Sequence, residues 1–172
     1  MRRALIPFCL LASAGHLLAA DVAKPDAPEI VRLGQLVGRW KGKIDLVEPD
    51  KPPQKLEFTM DCRRAAESWG VACETREWNQ SLDIRESMLF GYDPNDRIVH
   101  FFSVDNQAET HDHAGRWTDE RTLALEHVGS LDGRPFREKV SMAFRGKDGL
   151  DGEYVGLLDG KEIYRGKLQA RK

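Results

Sequence analysis

The chain has 172 residues, with 26 Lys and Arg against 28 Asp and Glu, and a formal net charge of −2 at pH 7. No basic tract longer than two residues follows Ala20, so the phosphate-neutralising surface that nucleic-acid binding needs is absent, which excludes nucleic acid as a partner. The length suits one globular domain and excludes a multi-domain architecture.

The first twenty residues predict a secretory signal peptide. Arg2 and Arg3 give a positive start, an apolar stretch follows, and small residues end it at Ala20. A membrane anchor is the alternative, but Pro7 and His16 interrupt a segment that is already short for a span.

We therefore expect residues 1–20 to be a signal peptide that is cleaved after Ala20, 21–27 a flexible lead, and 28–172 one barrel domain. The signal predicts a periplasmic or secreted protein whose mature chain has no transmembrane segment.

A short helix is predicted next. Asp26 and Glu29 have the spacing of a capping box, and Gly38 is placed to end the helix after about three turns. The apolar residues of one helix face are Ile30, Leu33, Leu36 and Val37.

From Arg39 onward the period of the hydrophobic pattern changes to two, which is typical of strands. The predicted strands are 39–47, 55–64, 71–78, 82–92, 97–105, 110–117, 122–128, 136–144, 150–158 and 162–170. Short turns rich in Asp, Asn and Gly separate nearly all of them and impose antiparallel neighbours. The predicted fold is therefore all-β: one antiparallel meander barrel of about ten strands with a short N-terminal helix.

Alternation predicts which side chains point inward. Trp40 and Ile44 share the inner face of the first strand, and His100 and Phe102 are predicted to share that of the fifth. The residues predicted to contact a ligand inside the barrel are Phe58, Met60, Met88, Phe102, Val140 and Met142. A barrel of about ten strands either holds a cavity for one small molecule or is filled by its own side chains.

Cys62 and Cys73 are predicted to form a disulfide. Export places them in an oxidising compartment, and they lie nearly equidistant from the turn that joins two neighbouring strands. A redox role is disfavoured, because catalytic pairs are typically C-x-x-C at the start of a helix.

Several short motifs resemble those of a known group. Gly38-Arg39-Trp40 resembles the G-x-W start of lipocalins and fatty-acid-binding proteins, the calycin group. Gly91-Tyr92-Asp93-Pro94 and Ala114-Gly115-Arg116-Trp117, with Asp132-Gly133-Arg134-Pro135 and Asp159-Gly160-Lys161-Glu162, resemble an uncharacterised bacterial lipocalin-like family.

That resemblance implies a calycin-like barrel of unknown role, often exported, and offers no catalytic residues. Lipocalins imply an apolar ligand, with Trp40 at the closed barrel end and Arg171 or Arg165 capping it. Ten strands depart from the eight of true lipocalins, so their ligand contacts are not transferred.

Function is predicted from what the barrel interior holds. No nucleophile elbow, phosphate loop or zinc-protease motif is present, so a non-catalytic binding barrel for a small apolar or amphipathic molecule is the leading hypothesis. An isomerase- or cyclase-like enzyme that uses Glu86 or Glu138 as an acid or base is one alternative, and a raised carboxyl pKa beside a pocket would favour it.

Metal or haem binding through His100, His111 and His113 is the other alternative. His111 and His113 lie two apart on one strand and leave it by the same face. If the preceding turn centres on Asn106 and Gln107, His100 faces His113 across the ladder, within reach of one ion. The competing interpretation is a solvated polar stretch, and the sequence identifies no cofactor or oligomeric state.

Overall fold

The protein is a closed barrel of ten antiparallel strands preceded by one short helix, which confirms the predicted fold class. A computed structural model describes residues 27–172, so the predicted signal peptide and Asp26 lie outside the described residues. The strands are β1 Gly38–Val47, β2 Gln54–Ala65, β3 Gly70–Trp78, β4 Asp83–Asp93, β5 Ile98–Asp105, β6 Thr110–Trp117, β7 Thr122–Leu131, β8 Arg134–Arg145, β9 Gly149–Leu158 and β10 Lys161–Arg171. Each strand pairs with its chain neighbours, and β10 pairs with β1, so the sheet has no free edge.

The helix is shorter than predicted. Helix α1 spans Pro28–Leu33, and one turn of 3-10 helix follows over Gly34–Leu36. Proline at the first helical position suits the start, because the amide proton that it lacks has no partner inside a helix. Gly38, with φ of 132°, begins β1 and does not cap the helix, so the chain turns directly from the 3-10 turn into the barrel.

Side-chain alternation places the core as predicted on most strands. Trp40 and Ile44 on β1 are buried, as are Phe58 on β2 and Phe144 on β8. On β5 the predicted faces are exchanged: Phe101 is buried and Phe102 is 45% exposed. Both faces of this strand are apolar in sequence, so the pattern does not determine which one points inward.

Trp40 closes one end of the barrel beneath the helix. Its indole nitrogen donates a hydrogen bond of 2.7 Å to the carbonyl of Leu36, and its ring packs against Phe144 with centroids 6.4 Å apart. The cation over the ring is the ammonium of Lys172, 4.6 Å from the centroid. The predicted capping by Arg171 or Arg165 is wrong. Both residues alternate with inward Ala170 and lie on the outer face of the barrel. Arg165 pairs there with Glu153 and Glu162.

A disulfide joins Cys62 and Cys73, which face each other across the β2–β3 ladder. This disulfide links β2 to β3 and fixes the register of the two strands next to the short turn at residues 66–68. No helix within residues 27–172 is long and apolar enough to cross a membrane.

Replacing Trp40 by alanine should lower the free energy of unfolding by about 3 to 5 kcal/mol, because it leaves a large cavity and an unpaired Leu36 carbonyl. Urea unfolding monitored by circular dichroism measures the change. Trp69→Ala is the matched control, because Trp69 is 41% exposed and its loss leaves no cavity. Equal losses in the two variants would contradict the role assigned to Trp40.

Candidate functional site

A cavity of about 650 Å³ lies inside the barrel. Five of the six residues predicted to contact a ligand line it, namely Phe58, Met60, Met88, Val140 and Met142. The sixth, Phe102, lies on the outer face, so its predicted place in the cavity is wrong. The ten strands therefore enclose more space than their own side chains fill.

The cavity extends towards the barrel end opposite the helix. Lys51, Leu82 and Gln107, from the loops after β1, β3 and β5, line it there. The helix lies at the other end, where the Gln35 side chain donates to the Glu120 carbonyl and Lys172 donates to the Gln35 carbonyl. One end of the barrel is thus covered by the chain itself, and the other is formed by hairpin loops.

A polar cluster lies in the cavity wall, built from β6, β8 and β10. The Nε2 of His113 donates a 2.7 Å hydrogen bond to Oε2 of Glu138, and the hydroxyl of Tyr164 donates a 2.6 Å bond to Oε1. The Nδ1 of His111 lies 3.6 Å from the same Oε2 atom. His113 is 1% exposed and Glu138 is 9% exposed, so a carboxylate and an imidazole are buried together.

The neighbours of Glu138 keep it ionised despite its burial. Burial by itself raises the pKa of this carboxyl, but the nearby imidazole of His111 and the hydrogen bonds from His113 and Tyr164 outweigh it and lower the pKa to about 2. Glu138 in turn raises the pKa of the His111 imidazole, because a nearby carboxylate favours the charged ring, and burial opposes this shift. Glu138 therefore carries a negative charge inside the barrel, and the raised pKa of His111 favours a compensating positive charge beside it.

Two further carboxyls line the cavity without such support. Burial raises the pKa of Glu77 to about 8, and repulsion from Glu86 and Glu138 adds to the shift, while a hydrogen bond with Tyr154 opposes it. Burial also raises the pKa of Glu86, with a hydrogen bond to Ser103 opposing the shift. With a pKa of about 8, Glu77 is mostly protonated at neutral pH, and a protonated carboxyl can donate a hydrogen bond.

His100 is not part of this cluster. Residues 106–109 join β5 to β6, and the amide of Asp105 donates to the carbonyl of Glu109, so the hairpin centres on Gln107 and His113 pairs with Phe101. This register differs by one residue from the prediction, and a shift of one residue reverses the face of each side chain. His100 lies on the outer face beside Asp112, with Nδ1 3.4 Å from a carboxylate oxygen. The predicted set of three histidines is therefore wrong, and Glu138 takes the third place.

His127 is a neighbour of the cluster that sequence reasoning did not identify. The β6–β7 ladder ends at the pair Ala114–Glu126, and the Nδ1 of His127 donates a 3.0 Å bond to the carbonyl of Asp112 just beyond it. The ring of His127 stacks on that of His111, with centroids 4.7 Å apart.

Glu77, Tyr154 and Tyr164 were also missed, although their alternation with neighbouring residues is visible in the sequence. Glu77 has the strand parity of buried Thr75, and Tyr164 has that of Gly166 and Leu168. Alternation along each strand could have shown that these side chains point inward. It could not show which inward polar residues contact one another, because those contacts join different strands.

Comparison with solved structures supports the fold alone. The crystal structure of Rv2717c from M. tuberculosis superposes with a TM-score of 0.63 at 15% identity, covering 85% of this chain and 98% of that one. The S-type phycobiliprotein lyase CPES from Guillardia theta superposes with a TM-score of 0.55 at 13% identity, covering 81% and 88% of the two chains.

Among curated proteins none matches this chain significantly. A family model does match, over residues 27–132, which includes the helix and the strands from β1 to β7. The chain belongs to the family described as protein of unknown function (DUF1579).

Proposed function

We propose that the barrel binds a small amphipathic molecule in its cavity, with the apolar part among the methionines and phenylalanines and the polar part at Glu138 and its neighbours. The observation that carries the proposal is a cavity of about 650 Å³ with both kinds of lining. A space of this size, mostly apolar with a few convergent polar groups, is typical of small-molecule sites.

The polar lining favours a ligand that donates hydrogen bonds or carries a positive charge. Glu138 holds a negative charge in the wall, and Glu77 and Glu86 lie along the same cavity, where a bound cation would lower their raised pKa values and favour their ionised forms. An anionic head group placed there would be repelled, whereas an amine would gain a charge-assisted hydrogen bond. The proposed ligand is therefore an organic amine with an apolar body.

Acid–base catalysis is a second candidate, because the raised pKa of Glu86 occurs beside a pocket. A raised carboxyl pKa also follows from burial alone, so binding remains the proposal with the broader support. Incubating a molecule recovered from the barrel with the wild type and with Glu86→Gln separates the two. An isomer formed only by the wild type would favour catalysis.

Export to the periplasm or beyond belongs to the same proposal. The signal-like first twenty residues support it, and the disulfide between Cys62 and Cys73 suits an oxidising compartment. A binding barrel in that location meets small molecules before they reach the cytoplasm.

Filling the cavity should abolish binding. We expect Met88→Trp to weaken the binding of a dansyl-labelled long-chain amine by about tenfold or more, because the indole takes up ligand space. Leu89→Trp is the matched control, since Leu89 is the next residue and is 50% exposed on the outer face. Fluorescence titration of chelator-treated protein measures both affinities.

The corresponding dansyl-labelled fatty acid should bind more weakly than the amine. Equal binding of the amine by Met88→Trp and Leu89→Trp would show that the amine does not bind in the cavity. Tighter binding of the fatty acid than of the amine would contradict the proposed head group.

Glu77→Gln should change how stability depends on pH. The pKa of Glu77 is about 8 in the folded protein against an ordinary 4.5, so its stabilising contribution is complete below about pH 4.5 and is lost as the pH rises through about 8. Glutamine stays neutral throughout, so the variant should gain on the order of 2 to 4 kcal/mol relative to the wild type between pH 5 and pH 9.

Urea unfolding at the two pH values measures this gain. Glu74→Gln, on the outer face of the same strand, controls for the loss of one carboxylate. Parallel pH profiles for the wild type and Glu77→Gln would show that Glu77 is ionised normally.

Expression of the full chain in a Gram-negative host should place it in the periplasmic fraction with Asp21 as its first residue. Replacing Arg2 and Arg3 by glutamate should retain the precursor in the cytoplasm, because the signal loses its positive start. Fractionation followed by intact-mass measurement decides the matter. A wild-type chain that keeps Met1 and stays in the cytoplasm would refute export.

A further inference from the structure

We propose that His111, His113 and Glu138 form a binding site for a single divalent transition-metal ion, zinc in the first instance. Two imidazoles and one carboxylate are the ligand set that zinc sites with an open position use. The proposal goes beyond ligand binding by the barrel and does not depend on it.

The three ligand atoms already converge. Oε2 of Glu138 lies 2.7 Å from Nε2 of His113 and 3.6 Å from Nδ1 of His111, and the three residues each have a ligand atom within 4.8 Å of those of the other two. Ligands on one zinc ion at bond lengths of about 2.0 to 2.2 Å are separated by roughly 3 to 3.5 Å. Small side-chain movements are therefore enough to place an ion between them.

Surrounding residues orient two of the three ligands, Glu138 and His111, whereas Nδ1 of His113 is buried without a hydrogen-bond partner among the described residues. Tyr164 donates to Oε1 of Glu138, which leaves Oε2 directed at the two imidazoles. Oε2 of Glu109 lies 3.8 Å from Nε2 of His111, the ring nitrogen that would not bind the ion. Carboxylates that contact the far nitrogen of a histidine ligand fix its orientation and increase its basicity.

The position in the barrel determines what the ion can do. All three ligand residues line the cavity, so coordination positions not taken by protein face the space where a ligand would lie. The ion takes the place of the proton that His113 donates from Nε2 to Glu138. His113 then binds as a neutral imidazole with its one ring proton on Nδ1, so the Nε2 proton of a neutral ring moves to Nδ1, and that of an imidazolium is released to solvent. Haem fits less well, because three protein ligands converge on one point, whereas a porphyrin leaves its iron two axial positions.

Isothermal titration of chelator-treated, tag-free protein with zinc chloride tests the site. The wild type should bind one equivalent, and His111→Gln and Glu138→Gln should each weaken binding by at least about tenfold, as expected for the loss of one ligand. His100→Gln is the matched control: it also removes one histidine, but from the outer face, and should bind as the wild type does.

A measurement on the wild type alone covers the case in which a variant does not fold. In protein labelled with ¹⁵N-histidine, one equivalent of zinc should shift the imidazole resonances of His111 and His113 and leave those of His100 in place. No binding by the wild type, equal weakening by His100→Gln and His111→Gln, or zinc-induced shifts confined to His100 would each overturn the proposal. Because amine binding is measured on chelator-treated protein, the cavity proposal and the metal proposal fail independently.

Discussion

A negative charge buried inside an apolar barrel is the constraint on which the interior of this protein depends. An ionised carboxylate without partners is too costly in such surroundings, so Glu138 requires hydrogen bonds to both of its oxygens. His113 bonds to one and Tyr164 to the other, from strands on either side of β8. Removing either partner would leave a buried charge incompletely paired, and the cost would exceed that of a surface ion pair.

Because the barrel has ten strands, its interior is wide enough to leave a cavity beside Glu138. A barrel of eight strands has an interior that its side chains fill or that holds at most one small ligand, whereas ten strands enclose a wider interior. Trp40, Phe144 and the short helix fill the end beneath the N-terminal segment. The added width therefore remains as a space of about 650 Å³ towards the loop end, and the polar cluster lies in its wall.

Much of the fold was predictable from local chemistry, because turn residues and alternation recur every few residues. Strands such as β6 were predicted with the bounds that the structure has. The disulfide partners followed from their distance to a turn. The face of β5 did not follow, because Phe101 and Phe102 are equally apolar and only the cross-strand register distinguishes them.

The candidate site was predictable only in part, for the same reason. His111 and His113 were identified because they lie on one strand, where a period of two is enough to place them together. Glu138 was identified as an inward carboxylate but was not connected to them, since its contact with His113 joins residues 25 positions apart. A single residue of difference in the β5–β6 turn then moved His100 to the outer face. A contact between strands that are not neighbours depends on the register of every strand pair between them. An error of one residue in any of these registers is enough to misplace the contact.

The interrupted ladder beside the cluster shows how the wall accommodates these polar groups. Regular β6–β7 pairing ends at Ala114 and Glu126, and in the next position along the ladder His113 would lie opposite His127. Instead, the ring of His127 donates to the carbonyl of Asp112, so a side chain satisfies a backbone acceptor that a regular ladder would pair with an amide. The same ring stacks on His111, which lies beside Glu138. The interruption of the β6–β7 ladder and the positions of the histidines therefore depend on one another. If β7 continued its regular pairing with β6, the ring of His127 would no longer lie where His111 packs against it.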